Sequence, residues 1–184
     1  MSIRPYETEA DAAWKWWNSL QANEQTKQRG DRATLAKLRR ASSIMEAAAE
    51  PATADLFKRL GFERKCASRD LPRAALIAAI LAHIRPNENK EALAHAIGTT
   101  RGGADTTELV SPLRLKRLVA AREPDDLLIA FRRVIAILGR TANIKDVAKQ
   151  LLLWTDDRHA DRARTLFMFD YHSADQFAPE LKTI

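Results

Sequence analysis

The chain has a single cysteine, Cys66, so it forms no internal disulfide and offers no cysteine-rich zinc site. Cysteine use of this kind suits a reducing compartment. Glycine is scarce, six in 184 residues, and no glycine-rich phosphate loop, HExxH or GxSxG pattern occurs. The longest apolar run, AALIAAILA at 74–82, is far short of the roughly 20 residues that span a bilayer. Strand-like alternation bounded by Gly or Asn is nearly missing. The opening MSIRPYETEADAAWKWW carries acids and no apolar stretch, so no secretory leader is read in it and the cytoplasm is the expected location. These absences argue against a disulfide scaffold, a zinc module, a membrane protein and a β-fold.

What is abundant is positive charge, unevenly placed. The formal net charge is +6. Residues 27–140 carry 22 basic and 13 acidic side chains, residues 1–26 two and four, and residues 141–184 six and seven. The excess therefore lies in the middle. Arginine outnumbers lysine 20 to 10, and arginine contacts phosphate with a planar fork and stacks on bases. Nucleic acid ranks above a membrane or an acidic protein as the partner.

Hydrophobic spacing predicts helices almost throughout. The first covers about 7–21, with Ala10, Ala13, Trp14, Trp17 and Leu20 on one stripe. This places Trp14 and Trp17 in the core and Trp16 partly exposed, at a protein interface. A helix over about 32–49 follows Gly30-Asp31, with Leu35, Leu38, Ala41 and Met45 on its apolar side. Others are expected over 52–60, from the Asp70 cap to about Arg85, and over 89–97. Ser111-Pro112 starts one that runs to about Arg122. The next lies between EPDD, 123–126, and Leu138, with Gly139 as its C-cap. Asn143 and Asp146 resemble a capping box for a helix to Trp154, and a last helix covers 158–170. The predicted fold is all-α: an N-terminal bundle over 1–99, a C-terminal bundle over 108–184, and a Gly-rich link at 100–107.

Several helices turn arginines away from their apolar sides. Arg32 and Arg39 are seven residues apart, with Arg40 beside them. Arg114 and Arg117 are neighbours one turn apart, off the side that carries Leu115, Leu118 and Val119. Arg133 and Arg140 lie opposite the arc of Leu127, Phe131, Val134, Ile135 and Leu138. Arg132 sits at the edge of that arc, its stem across apolar surface and its head reaching out. Arg122, in a last helical turn, faces carbonyl dipoles and also reads as a simple cap. One such helix is ordinary; three favour contact with phosphate.

The chemistry of an active site is not apparent. His83 lies on the most apolar helix and reads as a core or crevice histidine. His159 and His172 stand near Asp156, Asp157, Asp161 and Asp170, a set that could serve a metal nuclease. Beside Arg158, Arg162 and Arg164, these carboxylates read better as ion pairs and helix caps. Cys66 has basic neighbours but no base at defined spacing. No catalytic residue, metal or cofactor is expected.

The run RLVAAREPDDLLIAFRRVIAILGRTANIKDVAKQLLLW, 117–154, together with RATLAKLRRA and RTLFMFDYH, 164–172, resembles the small-subunit family of the type I-E CRISPR surveillance complex Cascade, known as CasB. The resemblance implies a non-catalytic helical protein. It implies as partners guide RNA, target DNA strands, the Cascade backbone and large subunits, and a second copy stacked head to tail. Arg32, Arg39 and Arg40 match a first basic motif, Arg114 and Arg117 a second, and Arg132, Arg133 and Arg140 a third. Lys37, Arg101 and Arg122 complete the candidate contacts. The role implied is to hold the R-loop by its backbone. Two other readings stand beside it. One is an independent helix-turn-helix-like DNA-binding regulator using 113–122 and 126–138, although the Asn, Gln and Ser that read base edges are lacking. The other is a helical scaffold that binds only protein.

Overall fold

Residues 74–82 contain no polar side chain. A helix built from them has no face for water and belongs inside. In a computed structural model that describes residues 6–22, 27, 29–86, 89–100 and 108–174, all nine are buried. Their helix is the fifth of ten α-helices among the described residues: α1 (Glu7–Ser19), α2 (Arg32–Arg40), α3 (Ile44–Ala48), α4 (Pro51–Arg59), α5 (Ala67–Leu81), α6 (Leu93–Gly98), α7 (Pro112–Ala120), α8 (Pro124–Ile137), α9 (Ile144–Trp154) and α10 (Ala160–His172). These residues include no β-strand, only an isolated bridge between Thr100 and Glu108, and the all-α expectation holds. No helix among them is long and apolar enough to cross a membrane.

α5 is the hub. It packs against α3 and α4, against α8 and α9, and more lightly against α1 and α2. α1 lies on α9, and α10 on α6, α7 and α9. Helices from both sides of 100–107 contribute to one buried cluster, including Trp16, Leu38, Phe131, Trp154 and Phe167. α6 approaches α10 so closely that a Cβ on Gly98 would lie 2.2 Å from the Tyr171 carbonyl oxygen. Only glycine fits there.

Some local expectations are corrected. The stretch 32–49 is two helices. Ala41 leaves the α-region with ψ 117°, and Ser43 caps α3 by accepting a hydrogen bond from the Glu46 N–H at 3.2 Å. Glu46 in turn accepts from the Ser42 N–H at 2.7 Å, close to the reciprocal bonding of a capping box. Asp125 of α8 accepts from the Ile44 N–H at 2.7 Å and fixes this second start. The break turns Met45 into solvent, 79 % exposed, instead of aligning it with Leu35 and Leu38.

α5 begins at Ala67, not Asp70, because a 3₁₀ turn over Arg64–Cys66 feeds straight into it. Asp70 is no cap; its buried carboxylate accepts from Arg69 at 2.9 Å and Arg73 at 3.1 Å. α6 begins at Leu93 rather than 89, where Asp146 of α9 accepts its first N–H at 2.7 Å.

The tryptophans also change places. Trp17 is buried as expected, but Trp16 is wholly buried and donates its indole N–H to the Ala52 carbonyl at 3.0 Å. Trp14 is 38 % exposed, with the Lys145 ammonium 5.3 Å from its ring centroid. α1 is packed by both α9 and α4, so its buried arc is wider than the single stripe.

Candidate nucleic-acid interface

α7 and α8 are consecutive and lie against each other. α7 buries Leu115 and Leu118, which leaves Arg114 and Arg117 outside. α8 buries Leu127, Leu128, Phe131, Val134 and Ile135, which leaves Arg133 outside. The three arginines border one groove of about 350 Å³ between the two helices, whose lining includes Leu118, Ala130, Val134 and Ile137. None of the three has a carboxylate partner among the described residues.

A second group gathers at the C-terminal end of α5, where free carbonyls carry partial negative charge. Arg39 of α2 donates its Nε–H to the Ala82 carbonyl at 2.6 Å. Burial, then the charges of Arg140 and Arg85, lower its pKa from the ordinary value. Arg132 of α8 donates to the Ala41 carbonyl at 2.6 Å, just past the end of α2. Both guanidiniums therefore act as helix caps, and the head of Arg132 turns inward where the sequence suggested that it reaches out. His83 lies among them. Burial first, then the charges of Arg132, Arg140 and Arg39, push its pKa down to about 4. The ring is neutral at pH 7, and its Nε2 has no hydrogen-bond partner among the described residues. The crevice reading of His83 holds.

Arg140 lies beyond α8 rather than on it. The helix closes in a Schellman ending: the Arg140 N–H donates to the Ile135 carbonyl at 2.9 Å, and the Gly139 N–H to Ala136 at 3.0 Å. Gly139 has φ 66° and Arg140 φ 64°. The left-handed conformation suits glycine but costs about 1–2 kcal/mol for a residue with a Cβ. The Arg140 carbonyl accepts from the Arg85 N–H at 2.9 Å, which joins this turn to the end of α5. The Arg140 residue itself is exposed.

The other candidates differ in availability. Arg32 and Arg40 are exposed, with no ion pair among the described residues. Lys37 is exposed and pairs with Glu50 at 3.6 Å. Arg122 is exposed and pairs with Asp161 at 2.7 Å. Such surface pairs are weak and easily exchanged for another anion. Arg101 and the rest of 101–107 lie outside the described residues.

Of the groups weighed for metal chemistry, Asp156, His159 and Asp161 are engaged by neighbouring side chains. Asp156 is buried and accepts from the Tyr6 hydroxyl and from Arg158, with His159 Nδ1 2.9 Å away. Burial alone would raise its pKa, but these hydrogen bonds outweigh it and hold the carboxyl well below the usual range. Among the described residues no cluster of His, Cys, Asp and Glu could hold a metal ion. Sequence reading missed two inward arginines. Arg73 donates to Asp70, Thr155 and the Leu152 carbonyl. Arg164 is 3 % exposed, stacks 5.0 Å from the Trp154 ring centroid and donates to the Ala121 carbonyl at 3.0 Å. No local pattern distinguishes them from surface arginines.

A family model described as CRISPR-associated protein Cse2 (CRISPR_cse2) matches residues 34–172. That span holds the whole α7–α8 groove and the cluster around His83. No curated protein and no solved structure matches the chain.

Proposed function

The chain belongs to the Cse2 family of CRISPR Cascade subunits, and on that premise we propose that it is the non-catalytic small subunit of a type I-E complex, stabilising the R-loop by holding nucleic-acid backbone. The observation that carries this reading is the meeting of Arg114, Arg117 and Arg133 around one groove, none of them ion-paired among the described residues. Phosphates supply the missing charge. From Arg133, α8 runs about one turn, some 6 Å, to its end. Arg140 follows, beside Arg39 and its neighbour Arg40. In this reading the two helical units, 1–99 and 108–184, each carry part of one positive track. Lys37, Arg101 and Arg122 are its flanks. Guide RNA, target strands, the backbone and large subunits and a second copy are the partners, in the cytoplasm and without a cofactor.

The mechanism needs no base reading. Guide–target pairing reads sequence, and exchange of the DNA duplex for the RNA–DNA duplex is nearly balanced. A few phosphate contacts made only in the opened state therefore shift the equilibrium towards it. The helix-turn-helix alternative fits α8 less well. Five buried side chains hold that helix against its neighbours, and its outward residues Asp125, Asp126, Ile129, Arg133 and Ala136 include no Asn, Gln or Ser for base edges.

The test is a reconstituted complex in which Arg114, Arg117 and Arg133 are all replaced by Ala. Guide-RNA assembly should persist, while permanganate reactivity of unpaired thymines in target DNA should fall at limiting complex. Unchanged opening across a salt series would refute the role of this groove. Loss of the subunit from the complex would assign it to a protein interface instead.

A further inference from the structure

The α7–α8 groove is not only charged. Leu118 and Val134 on its floor are buried, and Ala130 and Ile137 are half-buried. A phosphate gains nothing from an aliphatic floor. The groove is also kept open by small side chains: on either side of Arg133, α8 presents Ala130 and Ala136 to it. A ligand that fits is slim, apolar on its faces and joined to anions. An unpaired nucleobase on its sugar–phosphate strand has all three properties. Its face gains from aliphatic contact and from a stacked guanidinium plane, whichever base it is. Bases in a duplex are already stacked and cannot enter.

We propose that this groove seats one unstacked base of a single-stranded nucleic acid against Ala130, Ala136 and Ile137, between Arg117 and Arg133. The proposal rests on the nucleic-acid reading above and deepens it: arginines alone hold a duplex or a single strand, whereas the groove selects the single strand. It also separates two contributions. The phosphates set the salt dependence, about 0.7 log units per decade for each contact on a single strand. The seated base adds affinity with no change in that slope.

The experiment measures binding of a short thymidine strand, its fully abasic counterpart with the same phosphates, and a duplex, each over a salt series. The proteins are the wild type, Ala130→Leu and Ala136→Leu. Wild type should bind the thymidine strand at least about five-fold more tightly than the abasic one, the lower end for a stacked base. Either leucine should fill the groove and abolish this preference, with the salt slope and duplex affinity unchanged. Ala136 is exposed, so its variant carries the test if Ala130→Leu disturbs packing. Equal binding of the two strands by wild type overturns the base site; if Arg133→Ala still weakens both, the nucleic-acid reading survives. A leucine variant that binds all strands normally but fails to enter the assembled complex also overturns the base site and assigns the groove to a partner's side chain. Absence of salt-dependent binding to any strand overturns both.

Discussion

Acid should weaken the fold through His83, and the effect can be isolated. In the unfolded chain this imidazole titrates near 6.5; in the fold it is held down to about 4 by burial and by Arg132, Arg140 and Arg39. Between those values the unfolded state binds the proton and the native state does not, so stability rises with pH across the window. The contribution is fully present above about 6.5 and is lost as the pH falls towards 4. For one site with these two values, moving from pH 7 to pH 5 costs about 2 kcal/mol. The ring is not wholly enclosed, and solvent screening reduces this to roughly 1–2 kcal/mol. That is a large share of the roughly 5–15 kcal/mol typical of a domain. Urea unfolding of the wild type and of His83→Gln at pH 7 and pH 5 gives the answer. Carboxylates shared by both proteins cancel in the difference, which leaves the histidine. The wild type should lose about 1–2 kcal/mol more than the variant on acidification. Equal losses would refute the account of a neutral histidine enclosed by guanidiniums.

Three more outcomes follow from packing and backbone geometry. Arg140→Gly removes the same charge as Arg140→Ala but relieves a left-handed residue, so in thermal melts the glycine variant should be the more stable, by up to about 1 kcal/mol; the reverse order would count against strain at this turn. Trp16→Ala should cost about 3–5 kcal/mol, since the ring is wholly buried and its indole N–H bonds Ala52. Trp14→Ala should cost less, about 1–2 kcal/mol, because more than a third of its surface already faces water; denaturant midpoints in the opposite order would refute the placement of α1. Phe131→Ala should cost about 3–5 kcal/mol and remove the edge-on contact with Trp154, whose ring centroid is 5.3 Å away; near-ultraviolet circular dichroism should record the change, and an unaltered spectrum with a normal melt would contradict the core described here.

By itself the sequence determined the parts of this protein that depend on short-range periodicity. The all-apolar stretch 74–82 could only be a central helix, and the spacing of Leu127, Phe131, Val134 and Ile135 placed Arg133 on the outside. Gly139 marked the end of α8, and the Asn143 side chain accepts from the Asp146 N–H as a helix cap should. Even the break between α2 and α3 was legible, since Ser43-Ile-Met-Glu46 is a capping pattern, though the run of apolar spacing across it masked the stop. Tertiary structure decided the rest. Arg132 and Arg133 are adjacent, yet one donates to Ala41, 91 positions away, and the other borders an open groove. Arg164 stacks on Trp154 while Arg162 is exposed. Trp16 rather than Trp14 is enclosed because α4 arrives on the second side of α1. A guanidinium on a helix edge reads the same in sequence whether water, a phosphate or a distant carbonyl receives it. Helical period sets only the angle at which a side chain leaves its own axis. What that side chain meets is set by whichever helix packs alongside, and that depends on chain segments tens of residues away.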